Sequence, residues 1–203
     1  MIFPTLFANQ FREIENNPNA TRSNKILIPI HSAIAQIVSE HTDYEVISLP
    51  DKEYKFESDI GSKKVDIAII DPNIKKLKGA IMFKGVRSEY NKNANNYYET
   101  MKGESSLFID NNVPVYQIIF IPTMVRHKKS NGEKTFETPT EYSYLNYCNF
   151  INNHTPYWNN LKLSVFYLDI DYDANYKANY SNKIIPNMES TLTEGLINFM
   201  RGV

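Results

Sequence analysis

The feature that most constrains this chain is a pair of charges set into segments otherwise built for burial. In KKVDIAIID, residues 63–71, two-residue alternation predicts a strand with Val65, Ile67 and Ile69 on one face and Asp66, Ala68 and Ile70 on the other. In GAIMFKG, residues 79–85, Ile81 and Phe83 face one way and Met82 and Lys84 the other. A lone carboxylate or ammonium inside a sheet is costly, so such a group pairs, neutralises or binds a metal. Two readings follow. Asp66 and Lys84 form a structural salt bridge, or the carboxylate binds a divalent ion while the lysine orients water and stabilises negative charge on a phosphate.

The surrounding pattern predicts a sheet with helices on it. Ile30, Ile34, Ile37 and Val38 recur at helical spacing over residues 29–41. Strands are expected over Tyr44–Leu49, Tyr54–Ile60, Lys63–Asp71 and residues 79–85, the last after a polar stretch from Pro72 to Lys78. A helix over 93–109, a central strand over Val113–Ile121, a helix over Glu141–Asn152, a strand over Leu161–Ile170 and a closing helix over Ser190–Met200 complete the reading. No internal repeat or low-complexity linker divides the 203 residues, a length that suits one compact domain.

The order helix, strand, turn, KVDIAI strand, IMFK strand and helix resembles the PD-(D/E)XK nuclease core over about residues 29–121. The polar segment GVRSEYNKNANNYYETMKGE, Gly85 to Glu104, is similar to the corresponding part of bacterial type II restriction endonucleases. The resemblance implies an α/β fold with a restriction-endonuclease-like core: a central mixed β-sheet flanked by helices, residues 1–203 as one domain, and DNA-binding and dimerisation elements outside the core. It implies a site made of an Asp, an acid two residues before a Lys, and that Lys. Asp66 matches the first acid and Lys84 the lysine, but Met82 stands at the second acid, and a thioether is a poor ligand for Mg²⁺. In some branches of the superfamily this acid lies on the following helix, which makes Glu99 the preferred substitute, with Asp66, as metal ligand and Glu104 the second choice. The two are five residues apart, so a straight helix aims only one of them at the metal. Asp71 and Glu40 are further candidates; Asp71 sits at an odd offset from Asp66.

On that resemblance the cofactor is Mg²⁺, the partner is double-stranded DNA, and a palindromic target is matched by a homodimer. Arg87 can contact guanine, Asn91, Asn93, Asn95 and Asn96 can read adenine, and Ser88, Tyr90 and Lys92 can hold phosphates. RHKKSNGEK, residues 126–134, reads as an exposed basic loop able to meet phosphates. Two alternatives stay open: a nuclease-fold DNA-binding protein whose chemistry went with the acid at position 82, and a repair or end-processing nuclease without sequence preference.

Charge and composition exclude little. The formal net charge of −1 gives no bulk signature of a basic nucleic-acid-binding domain, so any such surface must arise from local sorting of charge. The single cysteine, Cys148, cannot close an internal disulfide, no secretion signal is visible, and the apolar runs are too short to span a bilayer. A bacterial cytoplasmic setting is the expectation. The four histidines show no metal-ligand spacing and receive no catalytic role.

Overall fold

The computed structural model describes residues 6, 9, 10, 12, 13, 27–86, 89–137, 161–168, 171, 172, 178, 179 and 188–203. Helix α1 (Ile28–Ser39) is followed by β1 (Glu45–Ser48), a hairpin of β2 (Tyr54–Ser58) and β3 (Gly61–Val65), then β4 (Ile67–Asp71) and β5 (Lys76–Gly85). Helix α2 (Tyr90–Ile109) leads to β6 (Val115–Pro122) and a second hairpin, β7 (Val125–Lys128) with β8 (Lys134–Glu137). Strand β9 (Leu161–Leu168), the short ladder of β10 (Asp171–Tyr172) and β11 (Ala178–Asn179), and α3 (Met188–Met200) complete the described elements.

The central sheet is mixed, in the order β1-β4-β5-β6-β9. Strands β1, β4 and β5 are antiparallel neighbours, whereas β6 runs parallel to β5 and β9 parallel to β6. A parallel partner needs a crossover, and α2 supplies it between β5 and β6. One sheet face, with Ile67, Ile69, Ile81, Tyr116, Ile118 and Phe120, is covered by Ile30, Ile34 and Val38 of α1 and Leu192, Leu196 and Phe199 of α3. The other, with Ala68, Ile70, Ala80, Met82, Val115 and Ile119, is covered by Tyr90, Met101 and Phe108 of α2. Burial on both faces explains why VYQIIFIP of β6 is buried at every position. The expected α/β class with a central mixed sheet between helices is therefore observed. Among the described residues no helix is long and apolar enough to cross a membrane.

The main departure from the sequence pattern lies at Asp66. A single strand over Lys63–Asp71 was the expectation, but the segment changes sheets: Val65 pairs with Tyr54 in the β2–β3 hairpin, and Ile67 pairs with Ser48 and Ile81 in the central sheet. The break resets the alternation, so Val65 joins the cluster of Ala68 and Ile70 and is separated from Ile67 and Ile69. Two further boundaries move. Strand β5 begins at Lys76, because Asp71 accepts the backbone N–H groups of Asn73 and Ile74 (2.9 and 3.4 Å) and tightens the turn before it. The basic segment 126–134 is a β-hairpin and its tip, with Arg126 paired to Phe136 and Lys128 to Lys134. The expected helix over Glu141–Asn152 lies outside the described residues.

Helix α3 lies so close to β6 that only a hydrogen fits at one point. A Cβ on Gly195 would collide with the Tyr116 hydroxyl, which is held by Ser164 Oγ at 2.8 Å, while Lys162 Nζ donates to the Gly195 carbonyl at 2.7 Å. We expect Gly195→Ala to lower the unfolding free energy by about 1–3 kcal/mol through overpacking, outweighing the better helix propensity of alanine. Denaturant unfolding measures this; a stabilised variant would contradict the close approach.

Candidate active site at the parting of two strands

Where β3 leaves the sheet, the backbone N–H of Phe83 on β5 loses the strand that would otherwise continue beside it. The Asp66 side chain takes that place: Phe83 N donates to Asp66 Oδ2 at 2.8 Å. Extending the Ile67–Ile81 register by one residue sets Asp66 opposite Met82. Met82 and Lys84 follow the alternation of β5 toward the α2 side, which puts Lys84 one diagonal step from Asp66.

The β2–β3 hairpin folds over α2, with the Phe56 and Phe108 rings 5.1 Å apart. This carries Lys63 to Glu104, with Nζ 2.5 Å from Oε1, and both side chains are about a quarter to a third exposed. Glu53, at the start of the hairpin, is ion-paired to Lys64. Asp66 lies in the field of all three nearby groups. Burial pushes its carboxyl up to about 6; the Phe83 N–H and the Lys63 charge pull it down, and Glu104 and Glu53 push it up. The cation that acts on Asp66 is thus Lys63. Lys84, half-buried, makes no ion pair with Asp66, so the purely structural bridge between them does not form.

Helix periodicity separates the two glutamates on α2. Met101, Ser105 and Phe108 mark its buried face. At about 100° per residue, Glu104 lies roughly 60° from Met101 and Glu99 roughly 160° from it. Glu99 is accordingly exposed, and Glu104 is the acid that the helix brings toward Asp66. The other two acids are elsewhere: Asp71 closes the turn at the far end of β4, and Glu40 is exposed and accepts from Gln36 Nε2 at 3.1 Å. Met82, 5% exposed, packs in the apolar cluster under α2, and beside it Gln117 donates to Ser105 Oγ at 3.1 Å.

The residues expected to touch DNA divide into three groups. Asn91, Lys92, Asn95 and Asn96 are exposed on the first turns of α2. Tyr90 is fully buried in the core, so its side chain anchors the helix and does not meet solvent; Asn93 Nδ2 donates to the Glu89 carbonyl at 3.0 Å. Arg87 and Ser88 lie outside the described residues.

Sequence reasoning missed Glu53 and Lys63, whose charges act on Asp66. Both act through the hairpin, whose position over α2 no local pattern announces. His31 of α1 is 1% exposed, stands edge-on to Phe83 with ring centroids 5.6 Å apart, and has neither ring nitrogen hydrogen-bonded. Burial lowers it to about 4, against a raising influence from Glu53, so the imidazole is neutral at neutral pH.

Among the described residues no three of His, Cys, Asp and Glu converge as a ready-made metal cage. A hard cation such as Mg²⁺ is usually held by one or two carboxylates together with water and substrate phosphate. Asp66 and Glu104 are oxygen donors of that kind, and the mutual repulsion that helps raise Asp66 is what a divalent cation would relieve.

The raised carboxyl has a consequence for stability. Its folded value lies above the ordinary 3.8 of an aspartate, so ionising Asp66 opposes folding; the penalty is absent below about pH 3.8 and grows until pH passes about 6. Asp66→Asn, which keeps an acceptor for Phe83 N–H, should stabilise the metal-free protein by about 1–3 kcal/mol at pH 7.5, with the gain vanishing near pH 4. Thermal unfolding in chelator across that range measures it; a difference independent of pH would refute the strained carboxylate. No family model, curated protein or solved structure matches the chain.

Proposed function

We propose that this chain is a Mg²⁺-dependent endonuclease that hydrolyses phosphodiester bonds in double-stranded DNA, with the architecture of PD-(D/E)XK nucleases and the role of a type II restriction enzyme. The observation that carries this reading is the Asp66 carboxylate bonded to the backbone of the strand that bears Lys84, in a common electrostatic field with Glu104. A strained carboxylate of this kind is characteristic of functional sites. The order of elements supports the same reading: helix, strand, Asp-bearing strand, Lys-bearing strand, crossover helix and parallel strand follow one another through one sheet.

In this scheme Asp66 and Glu104 hold the ion, so Glu104 takes the role first considered for Glu99. Lys63 has to yield the Glu104 oxygen it now occupies. When bound, Mg²⁺ supplies positive charge at the phosphate where negative charge develops. Lys84 has no part in neutralising Asp66, and its ammonium is available to orient the attacking water and hydrogen-bond a phosphate oxygen. Met82 contributes an apolar wall and no ligand. A palindromic target would call for a homodimer whose two-fold axis matches that of the DNA.

A second reading, a nuclease-fold DNA-binding protein without catalysis, draws support from two facts. Met82 is packed into the core where the motif has an acid, and Lys63 already neutralises Glu104. Incubation with mixed-sequence DNA and Mg²⁺ or Mn²⁺, beside a chelator control, separates the two. The nuclease reading expects discrete metal-dependent fragments, and Lys84→Ala should lower cleavage about 100-fold or more while DNA binding persists. DNA binding without cleavage in either metal would leave the second reading, and unchanged turnover in Lys84→Ala would remove the lysine from the site.

A further inference from the structure

The hairpin β7–β8 is docked on the N-terminal end of α2 through a cluster that the proposed chemistry does not use. Glu89 precedes the helix in the left-handed conformation, φ 54°, an arrangement uncommon outside glycine and asparagine. Its backbone N–H donates to the Arg126 carbonyl at 3.0 Å, and its carboxylate accepts from Lys128 N at 2.7 Å and bonds His127 Nδ1 at 2.9 Å. From the second strand of the hairpin, Glu137 accepts the N–H of Asn91 at 3.1 Å and approaches His127 Nδ1 at 3.8 Å. His127 therefore stands between two carboxylates, one from each side of the junction.

This docking sorts the local charge. Glu89 and Glu137 turn inward, with side chains 25% and 8% exposed, and are occupied by backbone N–H groups and His127. Lys128 and Lys134 of the hairpin and Lys92 of the helix are exposed, beside the exposed amides of Asn91, Asn95 and Asn96, while the exposed Lys129 is paired with the exposed Glu133 at the hairpin tip, 3.0 Å apart. A chain with a net charge of −1 thus presents a cationic face where two elements meet, beyond the end of β5 that carries Lys84; Val86, just after that strand, donates to the Phe120 carbonyl at 2.8 Å.

We propose that the β7–β8 hairpin and the first turns of α2 form one composite surface that docks the phosphate backbone of a nucleic-acid duplex, with His127 as the positioning residue that locks the hairpin to the helix. This deepens the nuclease reading by assigning the substrate's docking surface, and it rests on that reading for duplex DNA as the polyanion. Lys128 and Lys92 take phosphates from the two elements, while the asparagine amides lie where a groove edge would pass. His127 touches no substrate. It keeps Glu89 and Glu137 from facing the DNA and sets the angle of the hairpin.

The test is equilibrium binding of a mixed-sequence DNA duplex, followed by fluorescence anisotropy in chelator over a series of salt concentrations, so that it does not depend on cleavage. Lys92→Ala and Lys128→Ala should each weaken binding and reduce the slope of log affinity against log salt by about 1, the loss of one phosphate contact. Lys76→Ala, at the opposite end of β5, should match the parent. His127→Ala should weaken binding about tenfold, and His127→Gln, which can still donate to Glu89, should restore most of it. If either lysine variant keeps the parental affinity and slope, the surface is not composite and the proposal is overturned. Failure of the parent to bind the duplex would overturn it as well, whereas binding without cleavage in metal would leave this surface standing and defeat only the catalytic reading.

Discussion

The catalytic reading of this chain depends on one hydrogen bond, from the backbone of Phe83 to the carboxylate of Asp66. A strand that leaves a sheet strands the donors of its neighbour, and buried donors must be satisfied. Here a side chain does so, and in doing so it acquires a position that neither strand could give it alone. The carboxylate sits at the fork between the central sheet and the β2–β3 hairpin, where the hairpin delivers Lys63 and Glu53 and the crossover helix delivers Glu104. A fork where Lys63 pairs with Glu104 and Lys64 with Glu53, while the buried Asp66 carboxyl has no ion pair among the described residues, is unfavourable as a purely structural device, since hydrophobic residues would pack the same space at lower cost.

The two faces of the sheet have separate tasks. Beneath it α1 and α3 build an apolar support that includes the stacked Phe83, Phe120 and Phe166 rings, with centroids 4.7 and 5.4 Å apart. Above it α2 combines support with presentation: Tyr90, Met101 and Phe108 fix the helix, Glu104 leans toward Asp66, and the exposed first turns meet the basic hairpin. Phosphate docking would then use the first turns of α2, and phosphate chemistry the later turn that carries Glu104.

Much of this was legible in the sequence because it depends on short-range periodicity. Alternation in IAIID and GAIMF found the central strands, helical spacing found α1, and the misplaced charges Asp66 and Lys84 drew attention to the fork. The break within KKVDIAIID was not legible, since each half alternates well and only the pairing partners differ. That Glu104 and not Glu99 is turned toward Asp66 was not legible for a related reason: spacing from Lys84 suggests which turn of α2 an acid occupies, but the buried face is set by Met101, Ser105 and Phe108, and those become decisive only once the helix is packed. Tyr90 misled because an aromatic in a polar segment looks like a surface contact, when it is the anchor that lets the polar residues around it stay outside.

The central claim is that Asp66 and Glu104 form a divalent-cation site from which Glu99 is absent. Calorimetric titration of Mn²⁺ into the parent and into Glu104→Gln and Glu99→Gln, with Asp66→Asn alongside, addresses it without reliance on activity. The account predicts saturable binding in the parent and in Glu99→Gln, weakened about tenfold or more in the other two variants. Parental binding in Glu104→Gln together with its loss in Glu99→Gln would contradict it.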